Sequence, residues 1–224
     1  ADDAPSTHAV VARALTKQFE RLKWSPPSAH APLGTPALVA RVAVRELSFT
    51  SRALECLGLL GPNGAGKSTT FHMLTGALEP TAGEAFVGGA PTTSARSADT
   101  RIGFVPQFDV VWPELTVSEH LRLSARLVGA RPALVRGLVQ QVAEMVNLDG
   151  DAFNQRASTL SGGMRRRLSL GIALIGNPRV LFCDEPTTGL DPESRRAVWA
   201  IVERAKAGRS VILTTHSMEE ADAL

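Results

Sequence analysis

The segment GPNGAGKS at residues 61–68 limits what this chain can fold into more than any other feature of its sequence. It fits the pattern G-x-x-x-x-G-K-[ST], it follows the apolar run at 56–60, and it opens a stretch with helical periodicity. Small residues let backbone N–H groups close around phosphate oxygens, and the start of a helix adds a partial positive charge. The sequence therefore predicts a phosphate-binding loop between a buried strand and a helix.

The polar side chains of this loop have separate expected tasks. We expect Lys67 to reach the β- and γ-phosphates of a nucleoside triphosphate, and the Ser68 hydroxyl to bind Mg²⁺. The backbone of the other positions would surround the phosphates, and these positions are Gly61, Pro62, Asn63, Gly64, Ala65 and Gly66. The motif thus predicts a nucleotide site.

A pair of acids ends another apolar run, VLFCDE at 180–185. The first acid after a buried strand stands where a Mg²⁺ ligand is needed, and the second faces the γ-phosphate. We therefore expect Asp184 to hold the metal through water and Glu185 to orient or deprotonate the attacking water. Alone, such a pair is typical of a solvated turn, and only the preceding phosphate loop favours the catalytic interpretation.

The segment LSGGM at 160–164 stands at the start of an apolar helical stretch. Ser161 is a candidate N-cap, and Gly162 and Gly163 expose backbone N–H groups at a helix start. By itself this pattern is typical of a capped helix. The three arginines that follow, at 165–167, are predicted to form a solvated helix face, with a phosphate clamp as the alternative.

Aliphatic runs that alternate with helical stretches predict an α/β core built on a mainly parallel sheet. Strands are expected at 9–12, 42–49, 56–60, 101–105, 180–184 and 210–214. Helices are expected at 67–76, 118–128, 132–147, 161–176, 192–206 and after Ser217. Two regions interrupt the alternation, namely the proline-rich stretch 20–41, predicted as a loop insertion, and 109–168, predicted as a mostly helical insert.

Charge and cysteine content exclude several classes of protein. The 24 Lys+Arg against 22 Asp+Glu leave a net charge of +2, so nothing demands a nucleic-acid partner. Cys56 and Cys183 form no C-x-x-C pair, which favours a reducing compartment such as the cytosol, with Cys183 as a small buried apolar residue. No apolar run approaches the roughly 18 residues of a membrane span, so we expect at most a peripheral domain.

The order of the motifs resembles the nucleotide-binding domain of ABC transporters. GPNGAGKST is followed by Gln107, LSGGM, CDEP, the run GLDP at 189–192 and His216, over about residues 9 to 224. The phrases LLGPNGAGKSTTFHMLTG, LSGGMRRRLSL and DEPTTGLDP are similar to the eukaryotic A subfamily, whose members are large membrane proteins, many of which move lipids. The resemblance implies a P-loop NTPase core with an N-terminal β region and a helical signature subdomain.

The resemblance also implies roles for individual residues. Gly61–Thr69 would hold the phosphates of ATP, and Gln107 would contact Mg²⁺ or the attacking water and link the insert to a membrane domain. Ser161–Gly163 would contact the γ-phosphate of ATP held by a partner domain. Asp191 would lie at the interface of a head-to-tail pair of domains, and His216 would hydrogen-bond the γ-phosphate. Gln107 as an ordinary turn residue and His216 as a strand cap stay open as alternatives.

Several features of the sequence depart from the pattern of the family. The family stacks adenine on an upstream tyrosine, but this chain has no tyrosine. In the matching phrase LTKQF the candidate is Phe19, with Trp24 as the competitor and a core role for Phe19 as a further alternative. Leu54 replaces a glycine, which is expected to strain its turn. Relatives continue beyond Leu224, so we expect a fragment of a longer polypeptide.

The resemblance identifies an ATP-hydrolysing motor domain of a transporter of the lipid-moving type. The expected arrangement is one domain over 1–224, with a linker at 1–8, a core at 9–108 and 169–224, and the signature subdomain at 109–168. Its cofactors would be ATP and Mg²⁺, and its partners a second nucleotide-binding domain and transmembrane domains at the cytoplasmic face of a membrane, with no nucleic acid. Two alternatives stay open, a soluble ABC-type ATPase and a domain that only binds ATP. The near-neutral charge and the lack of long heptad repeats count against the first, and Glu185 and His216 against the second.

Overall fold

The computed structural model describes residues 8–24, 36–93 and 102–224. The strands are β1 (His8–Trp24), β2 (Pro36–Arg52), β3 (Cys56–Leu60), β4 (Ala82–Val87), β5 (Ala90–Pro91), β6 (Ile102–Val105), β7 (Val180–Asp184) and β8 (Ser210–Thr215). The helices are α1 (Lys67–Leu74), α2 (Val117–Leu127), α3 (Pro132–Met145), α4 (Gly162–Leu174), α5 (Pro192–Lys206) and α6 (Met218–Ala223). Two short 3-10 helices, Gly150–Asn154 and Ala157–Thr159, lie between α3 and α4.

A parallel sheet with the strand order β3-β8-β7-β6 carries the site, which confirms the predicted α/β fold class. Every residue of β7 and β8 is buried, as the lack of alternation in their sequences predicts. The strand β3 is only half-buried although its sequence is equally apolar, because it lies at the edge of the sheet. All four strands run in one direction, so their carboxyl ends meet at one edge.

Both faces of the parallel sheet are covered. On one face Phe182 packs edge-to-face on Phe71 of α1, with ring centroids 5.3 Å apart, and α1 in turn packs on the antiparallel sheet β2-β1-β4-β5. On the other face, Leu181 and Cys183 pack in one core with α5 and the helices of the insert. Cys183 is fully buried, as predicted, and burial raises the pKa of its thiol to about 12.

The first two strands form a long hairpin, and this corrects the prediction of a loop insertion over residues 20–41. Strand β1 continues to Trp24 and β2 begins at Pro36, with Phe19 opposite Arg41 and Arg21 opposite Val39. The prolines misled the prediction, because a proline is tolerated as the first residue of a strand, where Pro36 stands. Residues 25–35 lie outside the described part.

The insert between β6 and β7 is helical, as predicted, and α2, α3 and α4 pack together in its core. The prediction missed the short strands β4 and β5, since glycines hide the alternation of residues 82–91. Leu54 has a φ of 63° in the turn between β2 and β3. This is the left-handed region that favours glycine, which agrees with the strain predicted for a leucine at this position. Across the described ranges, we find no helix with the length and apolar character of a membrane span.

The contact between the phosphate-binding loop and β2 generates a stability prediction. Gly66 and Gly64 have φ of +92° and +84°, but a Cβ on Gly66 would overlap the Ala43 carbonyl oxygen, whereas one on Gly64 would meet nothing within 4 Å. Each alanine substitution should cost about 1 kcal/mol for the left-handed backbone. Gly66→Ala should cost at least about 1 kcal/mol more, measured by denaturant unfolding without nucleotide. Equal losses for the two variants would contradict this packing.

Candidate functional site

The loop after β3 wraps around the ammonium group of Lys67 at the carboxyl edge of the parallel sheet. The Gly61 N–H donates to the Thr215 carbonyl of β8 at 3.2 Å, which holds the start of the loop to the sheet. Lys67 Nζ donates back to the carbonyls of Gly61 at 2.8 Å and Pro62 at 3.2 Å. The helix α1 begins directly after Gly66, so its first N–H groups open towards the space in front of the loop.

A cleft of about 490 Å³ opens in front of this loop, a size that suits a small ligand. One wall is the β1–β2 hairpin and the other is the loop and the start of α1. The lining residues are Phe19, Arg21, Arg41, Ala43, Asn63, Gly64, Gly66, Lys67, Ser68, Thr69, Gln107 and Glu185. A lysine, a hydroxyl and free helix N–H groups on one side of the cleft fit a phosphate chain with its divalent cation.

The carboxylate of Glu185 is the centre of the polar cluster in this cleft. Its Oε1 lies 3.2 Å from Lys67 Nζ, and both side chains are less than a tenth exposed. Its Oε2 accepts from Gln107 Nε2 at 3.2 Å and from Thr188 Oγ1 at 3.1 Å, and lies 3.4 Å from His216 Nδ1. The structure therefore brings together Lys67, Gln107, Glu185 and His216, which are far apart in the sequence.

Two opposing effects set the charge state of Glu185. Burial alone would raise the pKa of its carboxyl, but hydrogen bonds from Lys67 and Thr188 and the charges of Lys67 and His216 outweigh it, so the pKa lies below its ordinary value. The group is a carboxylate at neutral pH. Its backbone has a φ of 45°, held by hydrogen bonds from the Glu185 N–H to Thr214.

Asp184 ends β7 one residue before this carboxylate. It is buried, and its Oδ1 accepts from Thr214 Oγ1 at 2.5 Å. The same Thr214 oxygen accepts from the Glu185 N–H at 3.0 Å. Among the described residues the lining of the cleft includes Ser68 and Gln107 but not Asp184.

The LSGGM segment and Asp191 are helix caps that lie next to each other. Ser161 Oγ accepts from the Met164 N–H at 3.2 Å and begins α4, while Asp191 Oδ2 accepts from the Ser194 N–H at 3.0 Å and begins α5. A Cβ on Gly163 would overlap the Ser194 side chain, so the two helix starts touch. The Ser194 N–H lowers the pKa of the Asp191 carboxyl. Of the described residues, neither Ser161–Gly163 nor Asp191 lines the cleft.

Phe19 lines the cleft opposite the loop and is two-fifths exposed. Lys17 Nζ lies 5.4 Å from its ring centroid and donates to the Glu79 carbonyl at 2.7 Å. Arg21 and Arg41 line the same wall and were missed by sequence reasoning. They share a face with Phe19 by strand register, a signal that only a predicted hairpin could have revealed. The side chain of Trp24, the competing candidate, lies outside the described part.

Arg166 corrects the prediction of a solvated face at 165–167. It is only 3% exposed, and its guanidinium donates to the Pro106 carbonyl just after β6 and to the carbonyls of Asp184, the last residue of β7, and Glu185. Position 166 faces the sheet because α4 packs along it, which a run of three arginines does not reveal.

Comparisons with known proteins agree with this geometry. A family model described as "ABC transporter" matches residues 44–188, well over half of the chain. "ABC transporter A family member 7" of Arabidopsis thaliana is 42% identical over 224 residues, covering 99% of this chain and 23% of that protein. The chain belongs to the ABC transporter family. It is an ATPase domain of the A-subfamily type.

Further comparisons define how far the similarity of this ABC domain extends. "ABC transporter A family member 9" of the same plant is 50% identical over 169 residues, which are 74% of this chain and 18% of that protein. The chain thus spans less than a quarter of the length of these relatives. The ATP-binding cassette MJ0796, solved as a dimer in a post-hydrolysis state with ADP and Pi, has a TM-score of 0.79 at 24% identity. That alignment covers 96% of this chain and 90% of the other, and it shows a shared fold.

The contacts of Lys67 lead to a prediction about nucleotide affinity. Lys67→Ala removes the positive charge from the loop, so the affinity for ATP should fall by at least about tenfold, or about 1.4 kcal/mol. Titration with a fluorescent ATP analogue measures it, with Lys206→Ala as the control, since Lys206 pairs with Glu203 on the surface. Equal affinity of Lys67→Ala and the parent would refute a role of Lys67 in phosphate binding.

Proposed function

We propose that this domain drives a membrane transporter of lipids by hydrolysing ATP, with ATP + H₂O giving ADP and phosphate. The observation that carries the proposal is the cluster around Glu185, where an ammonium, an amide and an imidazole approach one carboxylate at the mouth of a phosphate-binding loop. Such a group can position water against a terminal phosphate and accept its proton. The lipid substrate rests on the similarity to the A subfamily.

Each residue of the cluster has a distinct part in this reaction. Lys67 would exchange Glu185 for the β- and γ-phosphates, which frees a carboxylate oxygen to accept the proton of the attacking water. Gln107 and His216 would orient the water and the γ-phosphate through the atoms that now contact Glu185. Bound Mg²⁺ would supply neutralisation of phosphate charge. Ser68 and Gln107, which line the cleft, would hold it, and Asp184, which does not, would hold it through water.

A second domain would complete the site. The N–H groups that start α4 at Ser161–Gly163 do not line the cleft of their own chain, although a glycine-rich helix start suits a phosphate. They would contact the γ-phosphate of ATP held by a partner, and Asp191 beside them would lie at the interface. The resulting pair is head-to-tail, and two ATP molecules would be buried between the domains.

The transmembrane partner would dock beside Gln107. The residues that follow it, Phe108, Val110 and Trp112, are 76%, 72% and 51% exposed, an apolar group that favours contact with another protein surface. The domain would then lie at the cytoplasmic face of a membrane, held by transmembrane segments of the same transporter.

The side of the cleft formed by the β1–β2 hairpin leads to a prediction about how the adenine of ATP binds. If the adenine stacks on Phe19, Phe19→Ala should weaken ATP binding by about 1–3 kcal/mol, and GTP binding by a similar amount, because stacking does not read base edges. Calorimetric titration with both nucleotides measures it, and Trp24→Ala is the matched control. A loss with Trp24→Ala in place of Phe19→Ala would move the base contact to Trp24.

The head-to-tail pair generates a second prediction. Glu185→Gln keeps the shape of the side chain but removes the base, so hydrolysis should fall about 10²–10⁴-fold. It also removes a negative charge near the γ-phosphate, so the domain should associate with its partner domain in ATP but not in ADP. Sedimentation in each nucleotide reports the association, with Glu203→Gln on the exposed face of α5 as the control.

Ser161→Arg tests the same pair from the other surface. Added to Glu185→Gln, it places a bulky side chain where the partner's nucleotide would lie and should abolish the association. If ATP drives no association, or if Ser161→Arg leaves it unchanged, LSGGM is only a capped helix and the head-to-tail proposal fails.

A further inference from the structure

Arg166 makes a set of contacts that the proposed reaction does not use. Its guanidinium has five N–H donors, and each has an acceptor. The Nε donates to the Pro186 carbonyl at 2.7 Å, and Nη2 donates to the carbonyls of Asp184 at 3.1 Å and Glu185 at 3.2 Å. The Nη1 donates to the Pro106 carbonyl and to Asp109 Oδ1 at 3.2 Å.

These acceptors lie where two neighbouring strands stop pairing. The register between β6 and β7 ends at Val105 opposite Cys183, so the carbonyls that follow have no partner across this pair of strands, although Asp184 still pairs with Thr214 of β8. Arg166 supplies donors to both segments and so continues the connection beyond the sheet. Gln107 lies between Pro106 and Asp109, the two acceptors on the segment that follows β6. The Glu185 carbonyl is an acceptor on the segment that follows β7.

Arg166 stands five positions after the cap residue Ser161, within the first two turns of α4. A rigid helix transmits a displacement of its start to this side chain, and a guanidinium with five satisfied donors does not slide without breaking hydrogen bonds. Asp109 strengthens the attachment, since its Oδ1 also accepts from Ser169 Oγ of α4 at 2.8 Å.

We propose that Arg166 is a positioning residue that couples the start of α4 to the segments carrying Gln107 and Glu185. Movement of Ser161–Gly163 changes the placement of the Glu185 carboxylate through the guanidinium. Under the proposed function, on which this part rests, contact between the start of α4 and the partner's nucleotide thereby orders the Glu185 carboxylate in the cleft of the same domain as that helix.

The matched pair Arg166→Lys and Arg167→Lys tests the proposal. Both change one arginine of α4, but Arg167 Nη1 donates to the carbonyls of Val146 and Asn147 inside the insert. A lysine has three N–H donors on a single nitrogen, so it cannot satisfy the five acceptors that Arg166 serves from three nitrogens on the two segments. In the full-length protein, Arg166→Lys should lower kcat at least about tenfold with KM and ATP affinity within about threefold, and Arg167→Lys should keep kcat within about twofold.

Hydrogen exchange of the protein without nucleotide provides a readout that needs no turnover. The Thr188 N–H donates to the Glu185 carbonyl at 3.2 Å. Its exchange rate should therefore increase in Arg166→Lys and stay unchanged in Arg167→Lys. Ser161→Ala, which removes the cap of α4, should increase the exchange rate of the Thr188 N–H in the parent and in Arg167→Lys. In Arg166→Lys it should have no further effect, because the connection is already broken.

Several results would overturn the coupling. The first is an unchanged exchange rate of the Thr188 N–H in Arg166→Lys, and the second is an equal loss of kcat in the two lysine variants. The third is an effect of Ser161→Ala on this exchange rate that persists in Arg166→Lys. If Arg166→Lys does not fold, Asp109→Asn replaces it in both measurements, because it keeps the shape and the Ser169 contact but removes the charge. A parent that does not hydrolyse ATP would refute the proposed function alone, and the exchange results would still decide the role of Arg166.

Discussion

Burial of β7 and β8 on both faces is the constraint on which the rest of this molecule depends. No charged side chain can stand along these strands without losing its water, so the polar groups stand where the strands end. Parallel direction places those ends at one edge, where Glu185 contacts Lys67 of the loop that follows β3. The packing of α1 on Phe182 then fixes how close Lys67 comes to that edge. The site is thus a consequence of how the core is covered.

The same constraint creates a demand for hydrogen bonds at this edge. Chain segments that leave a sheet lose their ladder partners, and a buried carbonyl without a donor costs about 1–3 kcal/mol. Thr214 meets part of the demand by accepting from the Glu185 N–H and donating to Asp184. Arg166 meets most of the rest with one charged group, which Asp109 neutralises. The segment that carries Asp184 and Glu185 is therefore held by side chains from two other elements, β8 and α4.

The sequence predicted those parts of the site that are contiguous in the chain. The loop at 61–68, the acids after β7 and the cap at Ser161 each carry their own local pattern, and the structure places each at the expected element boundary. The wall of Phe19, Arg21 and Arg41 depends on pairing across a hairpin, and its prolines pointed to a loop. The burial of Arg166 depends on what surrounds one face of α4, and a run of arginines carries no information about that. Tertiary packing decided both cases.

The domain has two glycine-rich helix starts, that of α1 in the core and that of α4 in the helical insert, and they lie on different surfaces. The start of α1 serves the cleft of its own chain, whereas the start of α4 touches α5 and lies outside that cleft. Under the proposed function a single domain therefore holds only part of the groups that a γ-phosphate needs, and a second domain supplies the others. Hydrolysis then requires the pair to close, and loss of the γ-phosphate removes what holds the two surfaces together. Under that function, Arg166 connects α4 to the segment that carries Glu185, so closure of the pair and hydrolysis would share one rigid connection.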